Sequence, residues 1–387
     1  MRIIHLLTIL ICVFIFSCSN ELDDKTAAVI EEDILIIEDS SVPKGITDFL
    51  DNSTIVLFGE THYVQEHQEF IVRLLPELSE RGYKIIYQEL FHCFTWMVED
   101  YINGDINELP EFLHFFDDTL IRGLKSFNET VPEGARIELR YMDVNHWKSN
   151  FSRSIEEMEK IIGPSSLFDK LKNTIPDEAD YLTNLISANN LMINDKQKYQ
   201  NELGVKWYDR ILEMIGIEIK SHNHRTIRNN GEREKVMAEI ITLGINESLS
   251  SKHLINTGMF HAQKEIFMGQ KIDRLRQLLD KEFTNLNSLV FIGMRGKYKN
   301  AFDSNDKITF DLTDDASSNS MINLIDKISE NHMSFLPLKN DVFNDDVEIN
   351  YTPETKVNAP IGQQFDAIIT YPEIGVLESM DVYDYRK

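Results

Sequence analysis

Short apolar runs alternate with longer amphipathic stretches along the chain. The run Thr54-Ile55-Val56-Leu57-Phe58 predicts a buried strand, and Phe70, Ile71, Leu74, Leu75 and Leu78 then share one helical stripe that ends at Gly82. Pro76 inside the stripe predicts a kink or an early stop. A second strand follows from Tyr83 to Glu89, and the strand–helix–strand unit predicts parallel pairing through a right-handed crossover. Phe91 to Asp100 reads as helical. Further strands are predicted over Ile137 to Asp143, His253 to Thr257, Ser288 to Ile292 and Phe365 to Tyr371, with helices after the fourth strand to about Leu279 and near Ile322 to Ile328. From about 150 to 248 the pattern is helical and strongly charged, as in Ile155, Met158 and Ile161, and again in Trp207, Ile211 and Ile215. The expected fold is α/β: a mostly parallel central sheet with flanking helices and a large helical insertion or cap over the sheet's C-terminal edge.

The ends of the chain read differently. Arg2 precedes an apolar run from Ile3 to Phe16, followed by Ser17 and Cys18. That run is too short for a comfortable membrane span and reads as a signal peptide over residues 1–18. Residues 19–45, polar or mixed, read as a tether, with an edge strand expected within Ile30 to Ile37. One α/β domain is expected over 46–387. Of the three cysteines, Cys12 lies in the signal, Cys18 is the expected lipid anchor, and Cys93 alone is left in the body, where it reads as a small buried residue.

Composition removes one class of partner. Asp plus Glu number 64 against 39 Lys plus Arg, a formal charge of -25, and no basic stripe offsets it. A nucleic-acid surface needs clustered positive charge, so no nucleic-acid partner is expected.

The candidate chemistry gathers at strand ends. Glu60 and His62 follow the first strand, Glu89 ends the second, Asp143 ends the third, and His261 follows the fourth. C-terminal strand ends of a parallel sheet share one edge, where ligands bind in open α/β folds. Two imidazoles and a carboxylate, His62, His261 and Glu89, suit Zn, Mn, Co or Fe with open positions for water. Without metal, His62 is the candidate general base, oriented by Glu60 or Glu89, and Arg233 the candidate stabiliser of an oxyanion. His67, five residues after His62, lacks zincin spacing and reads as a neighbour of the site or as exposed. His222 and His224 read as a solvated loop, and Tyr63 and Tyr87 as packing. No Gly-x-Ser-x-Gly elbow and no glycine-rich phosphate loop occurs.

Gly59-Glu60-Thr61-His62, Glu89 after its strand, Arg233-Glu234 with Met237-Ala238, and Gly258-Met259-Phe260-His261 together resemble the erythromycin esterase / ChaN / Tiki-TraB superfamily over about residues 50 to 300. The Tiki-like branch implies metal-dependent proteolysis with His62, Glu89 and His261 as metal ligands or catalytic groups. The erythromycin esterase branch implies lactone hydrolysis, although its first motif has one more residue between Glu and His. The ChaN branch implies a bacterial lipoprotein that binds haem or iron without catalysis. Ser19, Asn20 and the acidic residues after Cys18 resemble the tether of a surface lipoprotein. The expectation is therefore an exported outer-membrane lipoprotein, anchored through Cys18, that hydrolyses an ester or amide in a small-molecule or peptide substrate.

Overall fold

The computed structural model describes residues 22–38, 42–173, 178–227, 229–265, 272–299, 307–313, 320–344, 349–352, 355–357 and 359–377. The expected signal peptide and its Cys18 anchor lie outside the described residues. In chain order the strands are β1 (Leu35–Ile37), β2 (Ile55–Glu60), β3 (Tyr83–Phe91), β4 (Glu138–Asp143), β5 (Lys252–Gly258), β6 (Leu286–Gly293), β7 (Arg295–Lys299), β8 (Lys307–Asp311), β9 (Met333–Pro337), β10 (Ile349–Thr352), β11 (Thr355–Val357) and β12 (Ala367–Tyr371).

Continuous apolar runs become the middle of the sheet. Every residue of β2 is buried, as are Leu289 to Ile292 in β6 and all of β12. Strands covered on both faces need such runs rather than alternation. The main sheet has eight strands in the order β1-β9-β12-β6-β2-β5-β3-β4. All neighbours from β12 to β4 pair in parallel. β9 runs antiparallel to β12 and to β1, forming one edge. Two small antiparallel pairs, β7 with β8 and β10 with β11, stand apart from it.

The expected pairing of the first two predicted strands is corrected. β5 lies between β2 and β3 and pairs with both, Phe58 and Gln88 flanking Asn256. A strand–helix–strand unit sets direction without requiring adjacency, and a later apolar strand can enter the gap. This insertion brings the chain after β5 between the chains after β2 and β3.

Other expectations also change. Of the two outcomes expected at Pro76 the early stop does not occur: the helix Gln65–Glu80 runs through it, its buried face of Phe70, Ile71, Leu74, Leu75 and Leu78 holding it against the sheet despite one missing backbone donor. Part of the expected tether belongs to the domain: Asp24–Asp33 is a helix capped by the Asp23 carboxylate, with Thr26 and Ile30 buried, and β1 is the edge strand. After β5 the chain makes a turn instead of the long helix expected, and only Leu275–Leu279 is helical among the described residues that follow up to β6. His222 and His224 lie on the helix Val205–Ile227 rather than in a loop, and His224 is buried against His146.

The stretch between β4 and β5 is helical as expected: Lys148–Ile162, Ser166–Asn173, Glu178–Asn194, Lys196–Leu203, Val205–Ile227 and Asn230–Glu247. Among the described residues no helix is long and apolar enough to cross a membrane.

Candidate active site

The site forms where β2, β3 and β5 end. Gly59 lets the chain after β5 come close, since a Cβ there would meet the Met259 Cα at 3.0 Å. Gly258 does the same for the first histidine: a Cβ would lie 2.9 Å from His62 Nε2. Tyr63, just beyond, has φ of 65°, a conformation that non-glycine residues adopt at a cost of about 1–2 kcal/mol. The late chain holds that turn in place. Leu377 N donates to the Tyr63 carbonyl at 3.0 Å, and Gly375 both accepts from Gln65 N and donates to the Glu66 carboxylate.

Glu89 is the hub. Its Oε2 accepts from Thr257 Oγ1 at 2.6 Å and from Gly258 N at 2.7 Å. Its Oε1 takes the Arg233 guanidinium and lies 3.3 Å from His261 Nε2 and 3.9 Å from His62 Nε2. Burial opposes its charge, but His261, Arg233 and His62 outweigh burial and hold the carboxyl well below the ordinary range.

Arg233 enters from the first turn of helix Asn230–Glu247, whose N-cap Asn229 accepts from Gly231 N. It forks onto Asp143, Nε to Oδ1 at 2.8 Å and Nη2 to Oδ2 at 2.7 Å. Such bidentate geometry adds direction to charge. Burial disfavours its charge, but Asp143 and Glu89 raise its pKa above the usual arginine value. Asp143 is in turn held low by Arg233 and His146 against its burial, and His146 Nε2 sits 3.0 Å from it.

The two histidines are unlike. His261 is buried, with Nδ1 2.8 Å from Glu234 Oε2, while Arg274 and Leu275 N hold the Glu234 carboxylate. Burial lowers its proton affinity, but Glu89 and Glu234 raise its pKa to about 9. Arg233 Nη1 stands 3.4 Å from its Nε2. With His261 protonated both are donors, and they converge on Glu89 rather than on one another. His62 keeps 35% of its side chain exposed, and Nδ1 lies 3.2 Å from Glu60 Oε1. Its pKa is also raised, since Glu89 and Glu60 outweigh the cost of burial.

The structure thus brings Glu60, His62, Glu89, Arg233 and His261 together, and adds Asp143, His146, Glu234 and Thr257. Asp143 was visible as a strand-ending acid. Glu234 follows Arg233 and Thr257 precedes Gly258, but nothing in the local pattern of these two gave them a partner. The donor set does not fit a metal ion. The Arg233 guanidinium fills the place a cation would take beside Glu89 and His261, and both His261 nitrogens already face charged partners. Among the described residues no group of three or more His, Cys, Asp or Glu has metal-site geometry.

His67, read as a neighbour of the site or as exposed, is fully buried with its ring stacked on Phe291 at 4.8 Å. Burial pushes its pKa down to about 3, and that of buried His253 to about 4. Both are neutral when folded and take up a proton near pH 6.5 when unfolded. Their stability contribution is present above that pH and is lost as pH falls towards 3–4. Each is expected to add up to about 1.4 kcal/mol per pH unit to the loss. Denaturant unfolding of the protein and of His67→Phe between pH 7 and 4 checks this, and equal pH slopes would count against it.

No family model and no curated protein matches the sequence. Solved structures do. An erythromycin esterase, EreC, solved as a mutant in its open conformation, aligns at 12% identity and TM-score 0.66, covering 88% of this chain and 95% of that one. A Bacillus cereus protein aligns at 15% identity and TM-score 0.68, covering 90% and 97%. A succinoglycan biosynthesis protein aligns at 14% identity and TM-score 0.69, covering 91% and 98%. A haem-bound ChaN of Campylobacter jejuni aligns only at TM-score 0.31 and 13% identity. At such identities the likeness concerns architecture, and on that ground this chain shares the fold of these three structures, one of which is an erythromycin esterase.

Proposed function

We propose that the chain is a hydrolase that activates water on an ester bond with a general-base histidine and no metal ion. The observation that carries this reading is the division of labour between the imidazoles: His62 is partly open to solvent, whereas the buried His261 and the largely covered Arg233 form a cationic pair on Glu89. Glu60 holds His62 Nδ1–H and so leaves Nε2 as the basic nitrogen. The 3.9 Å between His62 Nε2 and Glu89 exceeds a direct hydrogen bond and suits one bridging water. His62 takes the proton of that water as its oxygen attacks the carbonyl carbon. The positive charge of His261 and Arg233 favours the oxyanion that forms. As the intermediate collapses, the proton on His62 passes to the departing alkoxide.

The resemblance to an esterase fold supports this class, and the substrate follows from neither. The N-terminal sequence supports export and a lipid on Cys18. His261 has both ring nitrogens engaged, which favours the hydrolytic reading over haem ligation.

The test is turnover of aryl esters and lactones by tag-free protein before and after chelation, across pH. Base catalysis needs His62 neutral, so kcat/KM is expected to fall as pH drops through a value above 6.5, the raised pKa of His62. It is expected to fall again as pH rises through about 9, where His261 loses its proton. The two limbs belong to a coupled pair. Activity abolished by chelation, or a profile flat across this range, would remove the proposal.

A further inference from the structure

We propose that Asn256, in the middle of the sheet, is a positioning residue that sets the tautomer and orientation of His62 through Glu60. The inference depends on the hydrolase reading only in its activity arm. Asn256 is fully buried, and register places it between Phe58 of β2 and Gln88 of β3. Glu60 lies two residues beyond Phe58, on the same face of its strand. The Asn256 amide nitrogen donates to Glu60 Oε2 at 2.9 Å and to Gln88 Oε1 at 2.8 Å. Glu60 Oε1, the other oxygen of that carboxylate, faces His62 Nδ1.

The amide's orientation is fixed by chemistry. The Glu60 carboxylate can only accept, so the NH2 end of Asn256 faces it, and Gln88 then presents its Oε1 to the same amide. Asn256 Oδ1 is left buried without a hydrogen-bond partner among the described residues. A buried unpaired carbonyl costs about 1–3 kcal/mol, and a flip would not relieve it, since it would turn Oδ1 onto the Glu60 carboxylate and lose the bonds donated there.

The two histidine-bound carboxylates are held by different means. Glu234 is anchored by a cation, Arg274, together with a backbone N–H. Glu60 is anchored by the neutral Asn256 amide. A neutral anchor fixes the carboxylate without cancelling its charge, leaving that charge for the His62 Nδ1–H. His62 is thereby kept with Nε2 unprotonated when neutral, the tautomer a base directed at the pocket requires.

The test uses the full chain with Asn256→Leu, which keeps volume and removes the donors, and Asn256→Ser, which is too short to reach either acceptor. Gln88→Met removes the second acceptor and spares the bond to Glu60. Ring nitrogen NMR of His62, assigned with His62→Gln, reads tautomer and pKa without substrate. The expected result is a mixed tautomer in both Asn256 variants, a pKa lowered towards 6.5, and a wild-type pattern in Gln88→Met. With an ester that the protein turns over, kcat is expected to fall about 10-fold with KM nearly unchanged, and the acid limb to move to lower pH.

If either Asn256 variant folds with a wild-type His62 tautomer and pKa, the proposal is overturned. It is overturned equally if Gln88→Met shifts His62 as much as Asn256→Leu, since that would report general disruption of the core. If the protein turns over no ester yet the tautomer shifts as expected, Asn256 keeps its positioning role and the hydrolase reading alone fails.

Discussion

Replacing His62 by Ala is expected to lower kcat/KM by about 10²–10⁴-fold, the usual worth of a general base, with the fold intact. The fold should survive because His62 is the exposed member of the cluster and sits in a turn that the late chain holds through Tyr63, Gln65 and Glu66. Circular dichroism and the unfolding midpoint check the fold, and initial rates on an ester check the loss. The remaining buried groups would still bind and polarise substrate, so some rate above background is expected. A variant that keeps full turnover would remove His62 from the chemistry and with it the mechanism proposed above.

Arg233→Met should act on stability as strongly as His62→Ala acts on rate. The substitution keeps much of the aliphatic length and leaves Glu89 and Asp143 buried with the cation they share removed. Breaking a buried pair from one side costs about 3–5 kcal/mol, because the surviving charge stays desolvated. Equilibrium unfolding at pH 7 should show a lower midpoint with an unchanged slope. The pH dependence gives a second check. Glu89 and Asp143 are held below their ordinary values in the intact protein, so their contribution is present above the unfolded carboxyl range and is lost on acidification. The penalty in Arg233→Met should therefore shrink as pH falls and the two acids protonate. A loss below about 1 kcal/mol at pH 7 would mean that the network resembles an exposed ion pair.

Some of this site could be read from local pattern because local physics produces it. A central parallel strand must be apolar along its whole length, and Ile55 to Phe58, Leu254 and Ile255, and Leu289 to Ile292 have that character. An ionisable group just past such a run marks a strand end, which singles out Glu60, His62, Glu89 and His261. Arg233 lies in the first turn of a helix far from any strand, and its family-like motif, rather than its periodicity, points to it. Glu234 shares that motif but had no role assigned to it, and Thr257 and Asn256 carried no such mark. Their value lies in the groups opposite them, and spacing along one segment does not encode a partner 27 or 168 residues away.

The misreadings follow the same division. Pro76 lowers helix propensity locally, yet burial of the leucines around it carries the helix past the early stop allowed for there. His222 and His224 sit among polar neighbours, and only helix packing reveals their position. β9, a five-residue strand absent from the expected elements, lies between β1 and β12 and pairs antiparallel with both.

By itself the amino-acid order determined where the central parallel strands form and which residues stand at their ends, because hydrophobic period and glycine turns act over a few residues. Strand order was decided only in the folded molecule. β5 inserts between β2 and β3, and that one choice sets His261 beside Glu89 and His62 and lays Asn256 against Glu60. The physical reason is that ladder pairing and the charge balance of buried groups are settled between segments, by which apolar strand fills the gap and which cation meets which carboxylate, and neither is a property of any one stretch of chain.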